Sequence, residues 1–125
     1  MSEQTTELLD LSRQLIKAIE TQNWEQYVML CDADLTAFEP EARGHRVQGL
    51  DFHHFYFKLS GSGKPRQSTL IDPRVQVFGE TALVTYVRLT QSLDDNGSPQ
   101  SSACEETRIW QRKNGQWKHI HFHRS

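Results

Sequence analysis

The sequence predicts a single α+β domain with an antiparallel sheet, because helical stretches come first and a series of consecutive β-hairpins follows. With 125 residues the chain has the length of one ordinary domain, so we assign residues 1–125 to one hydrophobic core with one functional site. The glycine-rich segment GSGKP at residues 61–65 is a flexible turn within that domain, since too little chain precedes it for a separate core.

Three helices and a short strand are predicted in the first half. Residues 5–20 have apolar side chains at steps of three and four, formed by Leu8, Leu11, Leu15, Ile16 and Ile19. Asn23 is a favourable N-cap for a short helix over residues 24–32, with Trp24, Tyr27, Val28 and Cys31 on one side. After a turn at Asp32, the run LTAFEP predicts a strand that Pro40 ends. The run LDFHHFYFKL then has an aromatic stripe at helical spacing, formed by Phe52, Phe55 and Tyr56.

The second half predicts four long strands. They are β-branched and aromatic runs at residues 66–79, 81–93, 101–113 and 116–125. Gly79, DDNGSP and KNG separate them, and the last two carry the Asn-Gly signal of a tight hairpin turn. Both faces of these strands carry apolar side chains, so the sheet must be covered on both sides, once by its own helices. We expect the second cover to be another copy of the chain.

Three arginines stand late in three consecutive strands: Arg88, Arg108 and Arg124. One interpretation is that they lie at the rim of the sheet with their stems on apolar surface. If their faces coincide, the guanidinium groups line one cavity and repel each other, so that Glu106 or an anionic ligand must neutralise them. The pattern therefore indicates a candidate anion-binding site.

Three histidines alternate in the last strand, so a regular strand places His119, His121 and His123 on one face, opposite Ile120 and Arg124. This spacing suits zinc, but a metal site also needs a fourth ligand and oriented partners, so we expect no metal and no cofactor. We expect the histidines to face a subunit contact, and protonation there would make assembly sensitive to acid.

The composition excludes several classes of partner. A net charge of −2 offers no basic field for nucleic acid, and no window approaches the roughly 20 apolar residues of a membrane span. The start of the chain lacks a basic, apolar leader, so we expect a cytoplasmic location. Cys31 and Cys104 stand far apart and are expected to be small buried hydrophobes.

Catalytic motifs are scarce. There is no G-x-S-x-G elbow, and the carboxylates that could act as acid or base are not paired across one cleft by any spacing; they are Glu39, Glu41, Asp51, Glu105 and Glu106.

Four runs resemble the association (hub) domain of calcium/calmodulin-dependent protein kinase II, from about Leu8 to Ser125: LTAFEPEARG, GLDFHHFYF, YVRLTQ and EETRIWQRKNGQWKHIHFHRS. The resemblance implies the cone-shaped α+β fold of the nuclear transport factor 2-like superfamily, in which a long N-terminal helix packs on a strongly curved antiparallel sheet. It also implies assembly through the outer sheet face into homodimers and larger ring-like oligomers. The number of subunits is left open.

The same resemblance implies a deep cavity lined by Arg88, Arg108 and Arg124, with His53 and Tyr27 at further pocket positions where the animal hub binds small carboxylates resembling hydroxybutyrate. Two departures stand out. KLSGSGKP is shorter than the corresponding animal segment and lacks its tryptophan, and the chain starts at Met1 just before the first helix. We therefore expect a stand-alone hub-like chain without a kinase domain, whose biological role is open.

Two functions of different classes follow. The first is a non-catalytic, self-associating domain whose pocket binds a small anion, either a carboxylate or a peptide C-terminus, through Arg88, Arg108, Arg124, Tyr27, His53 and Glu106. The alternative is an isomerase, dehydratase or cyclase acting in the same cavity, with His53 as a base near Arg124 and Glu106 as an acid. We expect binding rather than catalysis, and the sequence does not identify the ligand.

Overall fold

The computed structural model describes residues 2–125, which form three α-helices, a short 3₁₀ helix and six strands. The helices are α1 (Glu3–Glu20), α2 (Trp24–Leu30) and α3 (Asp51–Phe57), and the 3₁₀ helix is Pro40–Ala42. The strands are β1 (Cys31–Phe38), β2 (Val47–Gln48), β3 (Gln67–Phe78), β4 (Thr81–Leu93), β5 (Pro99–Lys113) and β6 (Gln116–Arg124). The α+β fold and all four long strands are confirmed.

The six strands form one open sheet in the order β2-β1-β6-β5-β4-β3. Neighbouring strands run antiparallel except β1 and β6, which pair in parallel. A parallel pair needs a long connection, and here residues 39–115 separate the two strands. The turn between β5 and β6 has Asn114 and Gly115 at positive φ, as the Asn-Gly signal predicts.

The first two helices begin at the caps that the sequence provides. Ser2 Oγ accepts a hydrogen bond from the Thr5 amide at the start of α1. The helix begins at Glu3, two residues before the predicted start. Asn23 Oδ1 accepts a hydrogen bond from the Gln26 amide at the start of α2, as predicted. The helix buries Tyr27 and Leu30, whereas Val28, predicted on the same side as Tyr27, is exposed.

In the region from β1 to α3 one prediction is wrong, the turn at Asp32, and one is confirmed, the helix over the aromatic run. There is no separate turn at Asp32, because β1 starts at Cys31 and absorbs the irregularity as a shift in its register with β6. On α3 the predicted aromatic stripe is turned outward at Phe55, which is 56% exposed, and His53 is the buried residue. An aromatic side chain at helical spacing does not by itself identify the inner face.

The core lies between the helices and one face of the sheet. The inner positions of β4 and β5 alternate strictly and are buried at Ala82, Val84, Tyr86, Arg88, Thr90, Glu106, Arg108 and Trp110. α1 covers this face with Leu8, Leu15 and Ile16. The inner face therefore holds both the apolar core and the charged residues that the sequence singled out.

A β-bulge separates the three histidines of β6. Trp110 pairs with His119 while the preceding residue, Ile109, pairs with His121, so Ile120 is an extra residue in β6. After this residue the alternation reverses, and His119 lies on the inner face, fully buried. The prediction that all three histidines share one face is wrong for His119. His121 and His123 share the outer face, and their place in a subunit contact stays a prediction.

Candidate functional site

A cavity of about 370 Å³ lies between α3 and the inner face of the sheet. Its lining includes all six residues proposed from the sequence: Tyr27, His53, Arg88, Glu106, Arg108 and Arg124. It also includes Ile19, Glu39, Glu41, Tyr56, Phe57, Arg66 and Phe122. We call the side formed by the more exposed residues Glu41, Tyr56, Arg66 and Arg124 the cavity mouth.

Strand register brings the charged residues of the three strands together. Glu106 of β5 pairs with Tyr86 of β4 on one side and with Arg124 of β6 on the other. Arg108 is two residues further along the same face of β5. Residues at i and i+2 share a face, so Arg124 opposite Glu106, Arg88 opposite Cys104 and Arg108 surround Glu106 on one face of the sheet.

Glu106 contacts all three arginines. It accepts hydrogen bonds from the Tyr86 hydroxyl at 2.7 Å, from Arg108 Nη2 at 3.2 Å and from Arg88 Nη1 at 3.5 Å, and Arg124 Nε lies 3.9 Å away. Burial alone raises the pKa of Glu106, but the charge of Arg108 and the other contacts outweigh it and hold the pKa below the usual value. Glu106 is therefore ionised at neutral pH and neutralises part of the arginine charge.

Arg108 forms the base of the cavity. Its Nε donates to the Tyr86 hydroxyl at 2.8 Å, its Nη1 lies 3.3 Å from His119 Nε2, and its guanidinium carbon lies 4.6 Å from the Phe122 ring centroid. The residue is 1% exposed. Each nitrogen of Arg108 thus has a partner within the protein, which fixes the orientation of the group.

His119 supports Arg108 from below the cavity. A guanidinium only donates hydrogen bonds, so His119 Nε2 accepts and the imidazole is neutral, with its proton on Nδ1 facing Cys31 Sγ at 3.6 Å. Burial, followed by the charge of Arg108, keeps the pKa of His119 well below the usual value. The sequence did not indicate this role, because a regular two-residue alternation places His119 on the same face as His121 and local patterns do not reveal the bulge.

Glu39 and His53 form a buried pair on the opposite wall. His53 Nε2 lies 2.7 Å from Glu39 Oε2, and both residues are buried. His53 Nδ1 is buried without a hydrogen-bond partner within residues 2–125. The sequence identifies Glu39 only as one of several carboxylates that could act as acid or base, since nothing in it shows that the end of β1 meets α3.

Arg124 joins the two walls at the cavity mouth. Its Nη2 donates to Glu41 Oε2, and it lies 4.0 Å from Glu39 Oε1. The Arg124 side chain is 26% exposed, in contrast to the buried Arg108. Arg88 lies deeper, where its Nε donates to Ser68 Oγ at 3.1 Å and its Nη2 is 3.9 Å from Glu20 Oε1. Of the three strand arginines Arg88, Arg108 and Arg124, Arg124 is the most accessible to a ligand entering from solvent.

Tyr27 closes the cavity from the α2 side. Its ring centroid lies 6.1 Å from that of His53, and burial raises the pKa of its hydroxyl well above the usual value. The hydroxyl therefore stays protonated at neutral pH, beside the thiol of Cys31.

Within residues 2–125, no group of three or more His, Cys, Asp or Glu side chains is arranged to hold a metal ion. Nor does any helix in this described part have the length and apolar character needed to cross a membrane.

Comparison with known proteins gives consistent matches over the whole domain. The family model described as calcium/calmodulin dependent protein kinase II association domain matches residues 4–125. The rabbit (Oryctolagus cuniculus) delta subunit of calcium/calmodulin-dependent protein kinase type II is 48% identical over 122 residues. That match covers 95% of this chain and 23% of the kinase subunit, so the chain spans less than a quarter of that relative's length.

Solved structures show the same similarity. The association domain of the Caenorhabditis elegans kinase superposes with a TM-score of 0.91 at 38% identity, covering 96% of this chain and 93% of the other. The hub homology domain from Chlamydomonas reinhardtii gives a TM-score of 0.93 at 41% identity, covering 100% and 98%. A nuclear transport factor 2-like protein from Salmonella enterica, 20% identical with a TM-score of 0.76, covers 96% of this chain and 88% of its own length and shares the fold.

Proposed function

The chain belongs to the family of calcium/calmodulin dependent protein kinase II association domains, and from this premise we propose that it is a self-associating hub whose cavity binds a small carboxylate. Hub domains of this family self-assemble into oligomers. The proposed assembly is a homodimer that associates further into a ring-like oligomer. The cytoplasmic location expected from the sequence stays a prediction.

The outer sheet face supports the proposal of self-association. Its apolar side chains include Ile71, Leu83, Val87, Leu89 and Ile109, of which Ile71 is 41% exposed. Helices cover the opposite face, so a second copy of the chain is the cover that would bury this one. An isologous contact would place identical apolar strands against each other.

One observation carries the proposal of carboxylate binding: Arg88, Arg108 and Arg124 converge on one cavity that opens to solvent beside Arg124. Guanidinium groups bind carboxylates through paired, charge-assisted hydrogen bonds, which give both affinity and a defined orientation. Tyr27 and His53 add polar groups on the other walls. The interior is large enough for a small organic acid.

Arg124 is the residue to test, because replacing the buried Arg108 would also leave Glu106 and Tyr86 without a partner. We expect Arg124→Gln to weaken binding of butyrate about 10- to 100-fold, the range for loss of a charge-assisted hydrogen bond. Isothermal titration calorimetry measures the affinity, and light scattering after gel filtration measures the oligomer mass, which we expect to be unchanged.

Arg112→Gln is the matched control. Arg112 forms a surface ion pair with Glu80, so the control loses the same charge outside the cavity. Equal butyrate affinities of the two variants would overturn the proposed site. Loss of the oligomer in Arg124→Gln alone would instead assign Arg124 to assembly.

The Glu39–His53 pair favours a second candidate, a small-molecule isomerase, dehydratase or cyclase. A carboxylate that orients an imidazole is a common general base, and this pair lies beside a cavity that also holds Glu106. A saturable activity on an organic acid that disappears in His53→Ala would support this candidate. Fold similarity alone carries no argument for catalysis.

A further inference from the structure

Three arginines of the cavity, Arg88, Arg108 and Arg124, already contact carboxylates of the protein. Every contact that Arg124 makes across the cavity is to a glutamate: Glu41 by a hydrogen bond, and Glu39 and Glu106 at 4.0 and 3.9 Å. Four arginines surround the space, namely Arg66, Arg88, Arg108 and Arg124. Four glutamates accompany them: Glu39, Glu41 and Glu106 in the lining, and Glu20 against Arg88.

This balance limits how an anion can bind. An extra carboxylate beside arginines that already contact glutamates gains little net attraction, and its own desolvation opposes entry. Binding becomes favourable when the incoming carboxylate replaces one that the protein supplies. The ligand then takes over the hydrogen bonds of the displaced group, and the charge of the cavity is unchanged.

Glu41 is the carboxylate best placed to leave. Its side chain is 35% exposed, whereas those of Glu39 and Glu106 are 3% and 1% exposed. Glu39 is bonded to His53, and Glu106 is held in a central strand by Tyr86 and Arg108. Displacing either of these would break buried hydrogen bonds, which is costly.

The backbone around Glu41 also permits the movement. Glu41 is the middle residue of the three-residue 3₁₀ helix, outside the sheet. Arg43 and Gly44 follow at φ of 56° and 91°, and the loop that begins there is exposed. An exposed ion pair on such a short turn contributes little stability, so its exchange requires no rearrangement of the strands.

We propose that Glu41 is an internal anion that occupies Arg124 until a monocarboxylate displaces it, and that it sets a preference for monocarboxylates over dicarboxylates. This inference rests on the proposed function of the cavity. Exchange of one carboxylate for another preserves the charge balance. A dicarboxylate of similar length brings one uncompensated negative charge close to Glu39 and Glu106.

Titration of butyrate and succinate into the oligomer by isothermal titration calorimetry tests the proposal. We expect Glu41→Gln to tighten butyrate binding about 1.5- to 5-fold, the range for loss of an exposed competing ion pair. The affinity for succinate should increase more than that for butyrate, so that the dissociation constant of succinate divided by that of butyrate falls. A purely structural role of Glu41 would not change this ratio in that direction.

Two further variants complete the experiment. Glu80→Gln removes a carboxylate from the surface pair with Arg112 and should leave both affinities unchanged. In the Arg124→Gln background, Glu41→Gln should have no effect. If Glu41→Gln still tightens binding in that background, exchange at Arg124 is overturned, because the effect then acts at a distance.

The outcomes separate this inference from the function on which it rests. If the wild type binds both ligands and Glu41→Gln changes neither affinity, the role of Glu41 is overturned and the cavity remains the binding site. Binding seen only in Glu41→Gln supports both the role of Glu41 and the carboxylate site, since the internal anion then blocks the wild-type cavity. No binding to either protein overturns both.

Discussion

His119 illustrates how one buried residue couples the cavity to folding. The neutral imidazole accepts a hydrogen bond from Arg108 and faces Cys31, whose thiol pKa burial raises to about 12. Both groups are therefore uncharged around neutral pH. Protonating His119 would place a second positive charge against Arg108 in a site with no exposed surface.

This arrangement predicts an acid-dependent loss of stability. The folded-state pKa of His119 lies well below its usual value, so below about pH 6.5 the unfolded chain binds more protons than the folded chain. Stability is thus fully present above that pH and falls as the pH decreases. We expect the free energy of unfolding to fall by about 1 kcal/mol between about pH 7.5 and pH 5.5 on account of this group.

Urea unfolding of the wild type and of His119→Gln, at both pH values and one protein concentration, measures the effect. The variant should be less stable at neutral pH and should lose less stability on acidification. His45→Gln, in an exposed loop, is the control and should retain the wild-type dependence. An unchanged pH dependence in His119→Gln would contradict the assignment.

Residue pairs within the sheet were predictable, and pairs between loops and helices were not. The meeting of Arg88, Arg108 and Arg124 around Glu106 follows from alternation along strands joined by recognisable hairpins. The Glu39–His53 pair depends on where α3 packs, which no local pattern specifies. The resemblance to a known family supplied His53 and Tyr27 as lining positions, but not the carboxylates beside them.

At the level of the element, the bulge in β6 determines which histidine does what. If Ile120 were an ordinary residue of a regular strand, strict alternation would put His119 on the outer face with His121 and His123, away from Arg108. A two-residue period counted from the sequence cannot detect such an insertion. The parallel pairing of β1 with β6 was likewise beyond local patterns, because it joins strands that are far apart in the sequence.

The outer histidines carry a prediction about assembly. His121 and His123 lie beside Phe38, with ring centroids 5.9 and 5.7 Å away, on the face proposed for the subunit contact. Burial, followed by the nearby His123, lowers the pKa of His121. Protonation of both would place like charges within a contact that excludes water, so acid should weaken assembly.

Mass photometry at low protein concentration tests this prediction. We expect the oligomer mass to decrease between about pH 7.5 and pH 5.5 in the wild type, and to decrease less in a His121→Gln/His123→Gln variant. A wild-type mass that stays constant over this range would exclude the histidines from a pH-sensitive contact. His45→Gln again serves as the control.

For the molecule as a whole, the two faces of the sheet carry different kinds of side chains. The inner face holds a cavity lined by arginines and glutamates, and the outer face has the apolar side chains that we propose for contact with another subunit. The sequence could predict this division because charged residues alternate with apolar ones in β4 and β5. The angle at which subunits meet, which determines the size of a closed oligomer, depends on small differences at the interface that a sequence pattern does not encode.

Native mass spectrometry of the protein, with and without a panel of small carboxylates, measures the assembly and its bound ligand together. We expect an oligomer whose subunits each retain one carboxylate, and an Arg124→Gln oligomer of the same size that retains none. A monomer, or an oligomer that retains no carboxylate from the panel in either the wild type or Glu41→Gln, would contradict the proposal of a hub with an anion-binding cavity.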